Sequence, residues 1–94
     1  MRTAANELGA EKIRVNAVCP GWVDTPMFEI QAAELGWGRR QAEANFTGDQ
    51  LIHRLIEPDE IADAAIWLAS TGAAMVTGIA LPVDGGLLVS QFSS

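Results

Sequence analysis

The stretch Ile13-Arg14-Val15-Asn16-Ala17-Val18-Cys19 reads as a short apolar strand, halted by Pro20-Gly21 and followed by a loop that ends in a hydroxyl at Thr25. A loop at the carboxyl end of a parallel strand is free of the hydrogen-bond ladder, so it can offer N–H, C=O and hydroxyl groups to a ligand in the crevice outside the sheet. On the residues alone a second interpretation stands beside this one. Pro20-Gly21 can simply stop the strand, and Thr25 can serve as the N-cap of the helix that follows.

Other chemistry-bearing residues are scattered. His53 stands alone beside Arg54, with no Asp or Cys at ligand spacing, and reads as a surface histidine. Cys19 is the only cysteine, which excludes an internal disulfide or a multi-cysteine metal site and favours a reducing, cytoplasmic setting. Inside a strand pattern it is expected to behave as a small buried hydrophobe. Asn45-Phe46-Thr47 satisfies the glycosylation pattern, but Met1 to Leu8 has no apolar core for an export signal. Glu29, Glu34 and Asp49 most simply keep their segment solvated.

The elements that would position the loop follow from periodicity. Residues 2 to 8 pattern as a helix stopped by Gly9, and no N-cap precedes Thr3, so Met1 reads as a cut or an internal start. Strand 13 to 19 sets Ile13, Val15, Ala17 and Cys19 on one face and Arg14, Asn16 and Val18 on the other, which suits a sheet covered on both sides. An unpaired buried amide costs about 1 to 3 kcal/mol, so Asn16 is expected to tie a neighbouring segment to this strand.

Residues 26 to 57 are expected to form a mobile lid or substrate insertion, with helical pieces at 27 to 35 and 40 to 45 separated by Gly36, Gly38 and Gly48. Met27, Phe28, Leu35, Trp37 and Phe46 either line a pocket or pack the insertion on the body. A helix opens at Pro58 with Asp59 and Glu60 at its positive end and closes near Thr71-Gly72. Ile61, Ala62, Ala65, Ile66, Leu68 and Ala69 share its apolar arc, while Trp67 lies opposite among Glu60 and Asp63 and suggests either a patch buried by a second subunit or a contact with the lid. Ile79 to Val83 forms the last strand, at a sheet edge because of Pro82, and Asp84-Gly85-Gly86 closes it.

With 94 residues, 49% of them apolar, the chain sits near the lower limit of independent stability. Six basic against twelve acidic side chains give a net charge of -6, which argues against nucleic acid or anionic lipid as a partner. Ala64 to Val83 carries no charge over twenty positions, yet Ser70-Thr71-Gly72, Thr77-Gly78 and Pro82 divide it into short elements, against a membrane span. Two strands joined by a helical crossover are parallel, and two such strands alone leave ladder groups and apolar faces uncovered. The fold class expected is α/β, the C-terminal part of a doubly wound, Rossmann-like parallel sheet.

These motifs, taken in order, resemble the short-chain dehydrogenase/reductase family from residue 2 to about residue 87. Ile13 to Val18 with Pro20-Gly21 and Thr25 resembles its sixth strand and nicotinamide loop. Glu57-Pro58, Glu60-Ile61-Ala62 and Trp67-Leu68-Ala69-Ser70 resemble its last long helix, and Thr77-Gly78 with Val83-Asp84-Gly85-Gly86 its final strand and turn. The resemblance implies that Pro20 and Gly21 shape the turn under an NAD or NADP cofactor. It implies that the Val23 backbone meets the nicotinamide carboxamide and that the Thr25 hydroxyl helps hold carboxamide or phosphate.

The family moves hydride between nicotinamide and a small-molecule alcohol or ketone, using a tyrosine acid/base with a lysine and a serine. This sequence has no tyrosine and no Gly-x-Gly-x-x-Gly. The resemblance thus implies the C-terminal fragment of one such domain over residues 1 to 94, inactive alone, with no catalytic or metal-ligating residue of its own. Its parent would be a homo-oligomer assembled through the Trp67 helix and the last strand. The alternative from another class is a non-catalytic fragment that docks onto an intact homologue through those surfaces.

Overall fold

A computed structural model describes residues 1–91. Helix α1 (Arg2–Leu8) and a 3₁₀ turn (Gly9–Glu11) precede strand β1 (Ala17–Pro20). Helices α2 (Pro26–Glu34), α3 (Arg39–Thr47) and α4 (Pro58–Ala69) follow, then a second 3₁₀ turn (Thr71–Ala73), strand β2 (Ala80–Val83) and helix α5 (Leu87–Gln91). β1 and β2 pair in parallel, with Ala17 opposite Ala80 and Pro20 opposite Val83. Both strands therefore end at the same edge of the sheet.

The expected α/β architecture is present, with narrower strands. β1 begins at Ala17 instead of Ile13 because the preceding residues find irregular partners: Val15 N–H donates to the Thr77 hydroxyl (3.1 Å) and Gly78 N–H to the Val15 carbonyl (2.8 Å). Asn16 ties its neighbour as expected. Its amide donates to the Val76 carbonyl (2.9 Å) and accepts from the Ile79 N–H (3.2 Å), which delivers the chain into β2 at the correct register. Ala17 and Gly21 N–H donate to the Ile79 and Val83 carbonyls, so the ladder's alternation turns Pro82's nitrogen to the outer edge.

Of the two faces expected to be covered, one is. α4 covers the side of β1 carrying Arg14, Asn16 and Val18, where Ala65, Leu68 and Ala69 line a hollow of about 250 Å³ with them. The opposite side, expected to be buried, is open among the described residues: Ile13 is 45% exposed and Cys19 is exposed beside Ala80, Pro82 and Leu88. On α4 only Leu68 is buried, while Ile66 and Trp67 are exposed, so the inward stripe is narrower than the apolar arc. Arg14 holds that helix down, its guanidinium donating to the Leu68 carbonyl (2.6 Å), to Val76 (3.2 Å) and to Ser70 (3.4 Å), so carbonyls at the helix end have a donor.

The segment expected as a loose cover instead holds the hydrophobic core. Phe28, Ala32, Ala42 and Leu55 are buried, with Trp22, Trp37 and Phe46 against them. Phe46 stacks on Trp22 at 4.4 Å between ring centroids and meets the edge of Phe28 at 5.8 Å. Met27 and Leu35 stay exposed. Gly36 supplies the left-handed residue (φ 72°) that ends α2, with Gly36 N–H donating to Ala33 and Trp37 N–H to Ala32, which turns Trp37 back onto the core. α1 ends at Leu8 with Gly9 as its C-cap, as expected, though Gly9 stays right-handed and the left-handed residue is Lys12 (φ 62°), which ends the 3₁₀ turn.

With a radius of gyration of 16.2 Å the molecule is more drawn out than the about 12 Å of a compact chain of this length. Its sheet and its aromatic core are thus distinct centres, joined at the loops beyond β1 and β2. Among the described residues no helix is long and apolar enough to cross a membrane.

α4 is opened by a capping box in which Glu57 and Glu60 satisfy each other's backbone, and Arg54 grips the Glu60 carboxylate with two nitrogens at 2.7 and 2.9 Å. The Arg54 hydrogen bond, aided by the Glu57 N–H, holds the Glu60 carboxyl at about 2. A lowered folded-state value means stability that is present above the ordinary carboxyl range near about 4.3 and lost as pH falls through about 2. We expect the stability advantage of the parent over Glu60→Gln, followed by circular dichroism against urea, to be full at neutral pH and to vanish near about pH 2.

Candidate functional site

Because β1 and β2 are parallel and in register, the loop 21–25 and the turn 84–86 emerge side by side. Gly21 is required where they meet: its N–H donates to the Val83 carbonyl (3.1 Å), and a Cβ on it would lie 3.0 Å from the Asp84 Cα. Asp84 in turn fixes its own turn, one carboxylate oxygen accepting from Gly86 N–H (2.9 Å) and the other from Leu88 N–H (3.0 Å).

Beyond Gly21 the loop becomes strand-like again. Val23 bridges Ile56 in parallel, with Ile56 N–H donating to the Trp22 carbonyl and Asp24 N–H to the Ile56 carbonyl, both at 2.8 Å. In that geometry the flanking residues carry the bonds and the bridged residue's own amide turns the other way. Val23 N–H and C=O accordingly have no hydrogen-bond partner among the described residues. Thr25 occupies the N-cap position of α2 ahead of Pro26, yet its side chain makes no capping bond, so its hydroxyl is also available.

The four residues singled out in the sequence are therefore divided. Gly21, Val23 and Thr25 line one hollow of about 320 Å³ with Met27, Phe28 and Gln31. Pro20 ends β1 and instead lines the open apolar face with Cys19, Pro82 and Leu88. His53 is exposed, away from this hollow, and among the described residues no group of three or more His, Cys, Asp or Glu is placed to hold a metal ion.

Gln50 is the positioning residue that periodicity could not reveal. It is 1% exposed, its amide nitrogen donating to the Ile52 and Arg54 carbonyls (2.9 Å each) and its oxygen accepting from Trp22 N–H at 3.4 Å. Leu51 and Ile52 N–H both donate to the Gly85 carbonyl at 2.8 and 2.9 Å, so the 50–56 segment is stitched to both neighbouring loops. Gly85 (φ 61°) must be a glycine there, since a Cβ would come within 3.0 Å of the Gln50 amide. Nothing in the spacing of a lone glutamine inside a polar stretch distinguishes it from a solvated side chain.

A parallel two-stranded sheet with α4 against it, and a loop beyond its strand ends offering free backbone and hydroxyl groups, make this part of a doubly wound α/β architecture. The model of the enoyl-(acyl carrier protein) reductase family matches residues 1–88. The chain is 43% identical over 89 residues to the 3-oxoacyl-[acyl-carrier-protein] reductase of Pseudomonas aeruginosa, covering 95% of this chain and 33% of that protein. It is 42% identical over 89 residues to an uncharacterized oxidoreductase of Mycobacterium tuberculosis, covering 94% of this chain and 33% of that one. Among solved structures, a short-chain dehydrogenase family protein of Francisella tularensis superposes with a TM-score of 0.84 at 33% identity, over 94% of this chain and 38% of that one. Actinorhodin polyketide ketoreductase with NADPH superposes with a TM-score of 0.76 at 39% identity, over 92% and 34%.

The chain belongs to the short-chain dehydrogenase/reductase family. It spans about a third of the length of the curated relatives it matches.

Replacing Gln50 by Leu leaves the Ile52 and Arg54 carbonyls without their buried donor. The expected cost is about 1 to 3 kcal/mol, read as a lower urea midpoint with an unchanged slope.

Proposed function

We propose that residues 21–25 form the nicotinamide-facing edge of a dinucleotide cleft, with Pro20 ending the strand beneath it. In this view the chain is the C-terminal part of an NAD(P)-dependent oxidoreductase acting on a small-molecule alcohol or ketone. The observation that carries this is the free amide of Val23 beside the free hydroxyl of Thr25 on one hollow. A carboxamide has both a donor and an acceptor, so one residue whose own N–H and C=O are both unused matches it and fixes which ring face is presented. Bound nicotinamide would supply the hydride chemistry. The chain's own residues would orient the ring through Val23 and Thr25, while Phe28 and Met27 limit water on the side of α2.

The proton donor and the phosphate cradle are not among these residues, which contain no tyrosine and no Gly-x-Gly-x-x-Gly. In the proposal they belong to sequence outside these 94 residues, and residues 26–57 serve as the substrate-side cover. The printed name of the Pseudomonas aeruginosa relative and the NADPH of the ketoreductase structure support a carbonyl substrate and a nicotinamide cofactor. The exposed side chains of Ile66 and Trp67 on α4, together with the outer edge of β2, support assembly with further copies.

Val23→Pro removes the free N–H without touching the ladder, because the bonds to Ile56 run through Trp22 and Asp24. In an intact oxidoreductase carrying these residues we expect about a tenfold weaker affinity for NADH or NADPH in fluorescence titrations. Unchanged affinity would remove Val23 from the cofactor site. Trp67→Glu in the same protein should shift its mass toward the monomer in light scattering.

A further inference from the structure

Arg39 occupies an unfavourable place for its own helix. It is the first residue of α3, where the unsatisfied N–H groups and the dipole repel a cation, and the first turn contains no acidic residue to offset it. Glu43, one turn on in α3, lends it a weaker attraction, but the partners in direct contact with its guanidinium belong to other segments. One terminal nitrogen lies 2.7 Å from the Asp24 carboxylate in the loop, the other 3.2 Å from Glu29 on α2, and the guanidinium carbon sits 5.7 Å from the centre of the buried Phe28 ring. A forked guanidinium suits this, since its two terminal nitrogens can each take a carboxylate while the group lies over an aromatic ring.

Asp24 lies between the two residues with unused polar groups, Val23 and Thr25, and its own N–H is half of the bridge to Ile56. A grip on its carboxylate is therefore a grip on the orientation of the free Val23 amide. We infer that Arg39 is a positioning residue that couples the α2–α3 cover to the loop 22–25 and sets the pose of the nicotinamide edge. This deepens the proposed function and rests on it. Single exposed ion pairs contribute little, and these are solvent-exposed, so the weight of the inference lies in one side chain joining loop, α2 and α3 as a network.

The test uses the intact oxidoreductase carrying these residues, with NADH, NADPH and ADP-ribose as probes. Arg39→Gln should lower hydrogen-exchange protection of the Asp24 and Ile56 amides about threefold to fivefold and weaken NADH or NADPH binding by a similar factor. Affinity for ADP-ribose, which lacks the nicotinamide, should stay unchanged, a split that general loosening would not produce. Raising the salt to about 1 M should shrink the difference between parent and variant, and the charge exchange Asp24→Arg with Arg39→Asp should restore both readouts.

Unaltered protection, equal losses for ADP-ribose and NADH, or no recovery in the charge exchange each overturns the inference. A parent protein that binds no nicotinamide cofactor overturns the proposed function and the cofactor role of Arg39 with it. That failure is told apart from the others because it is already present before any substitution is made.

Discussion

Parallel pairing of two short strands is the constraint on which the rest depends. Ala17–Pro20 and Ala80–Val83 run the same way, so their exits lie together and the chain between them must cross over and return. Register is held by few groups. Asn16 binds both Val76 and Ile79, and Gly21 packs its bare Cα against the Asp84 backbone. A shift of one residue would invert each side chain and separate those partners. Everything the loop offers to a ligand is a consequence of that register.

The second organising feature is the use of backbone in place of side chains. The loop 22–24 spends one side of its peptide groups on Ile56, and what remains on the other side is one unpaired amide at Val23. A buried glutamine keeps the opposing segment in place, satisfying the Ile52 and Arg54 carbonyls in a region with no regular secondary structure. Polar groups are thus arranged so that those inside are bonded: among the described residues no buried side-chain nitrogen or oxygen lacks a partner. The groups left free are at the rim, where a ligand can reach them.

Sequence patterns disclosed helices α1 to α4, the crossover and the strand that ends at Pro20, because each has a local signature in spacing or in proline and glycine placement, whereas the short α5 went unseen. They also exposed Asn16, an amide in an apolar run. They erred where the outcome depended on neighbours. β1 looked covered on both faces, yet among the described residues α4 covers only the even-numbered one and Ile13 and Cys19 on the other are exposed. Residues 26–57 looked loose because three glycines interrupt them, yet Phe28, Ala32, Ala42 and Leu55 build the core there, with Gly36 turning Trp37 inward.

By itself the sequence determined the order and kind of the elements from α1 to β2 and the position of a polar loop after a strand stop, since these follow from local sterics and the two hydrophobic periods. Only the tertiary structure decided which peptide group in that loop would be left free, and that Gln50, Arg39 and Asp84 converge on it from distant positions. Hydrogen-bond direction and burial arise from segments meeting in space, and spacing along one chain carries no record of which partner each group will find.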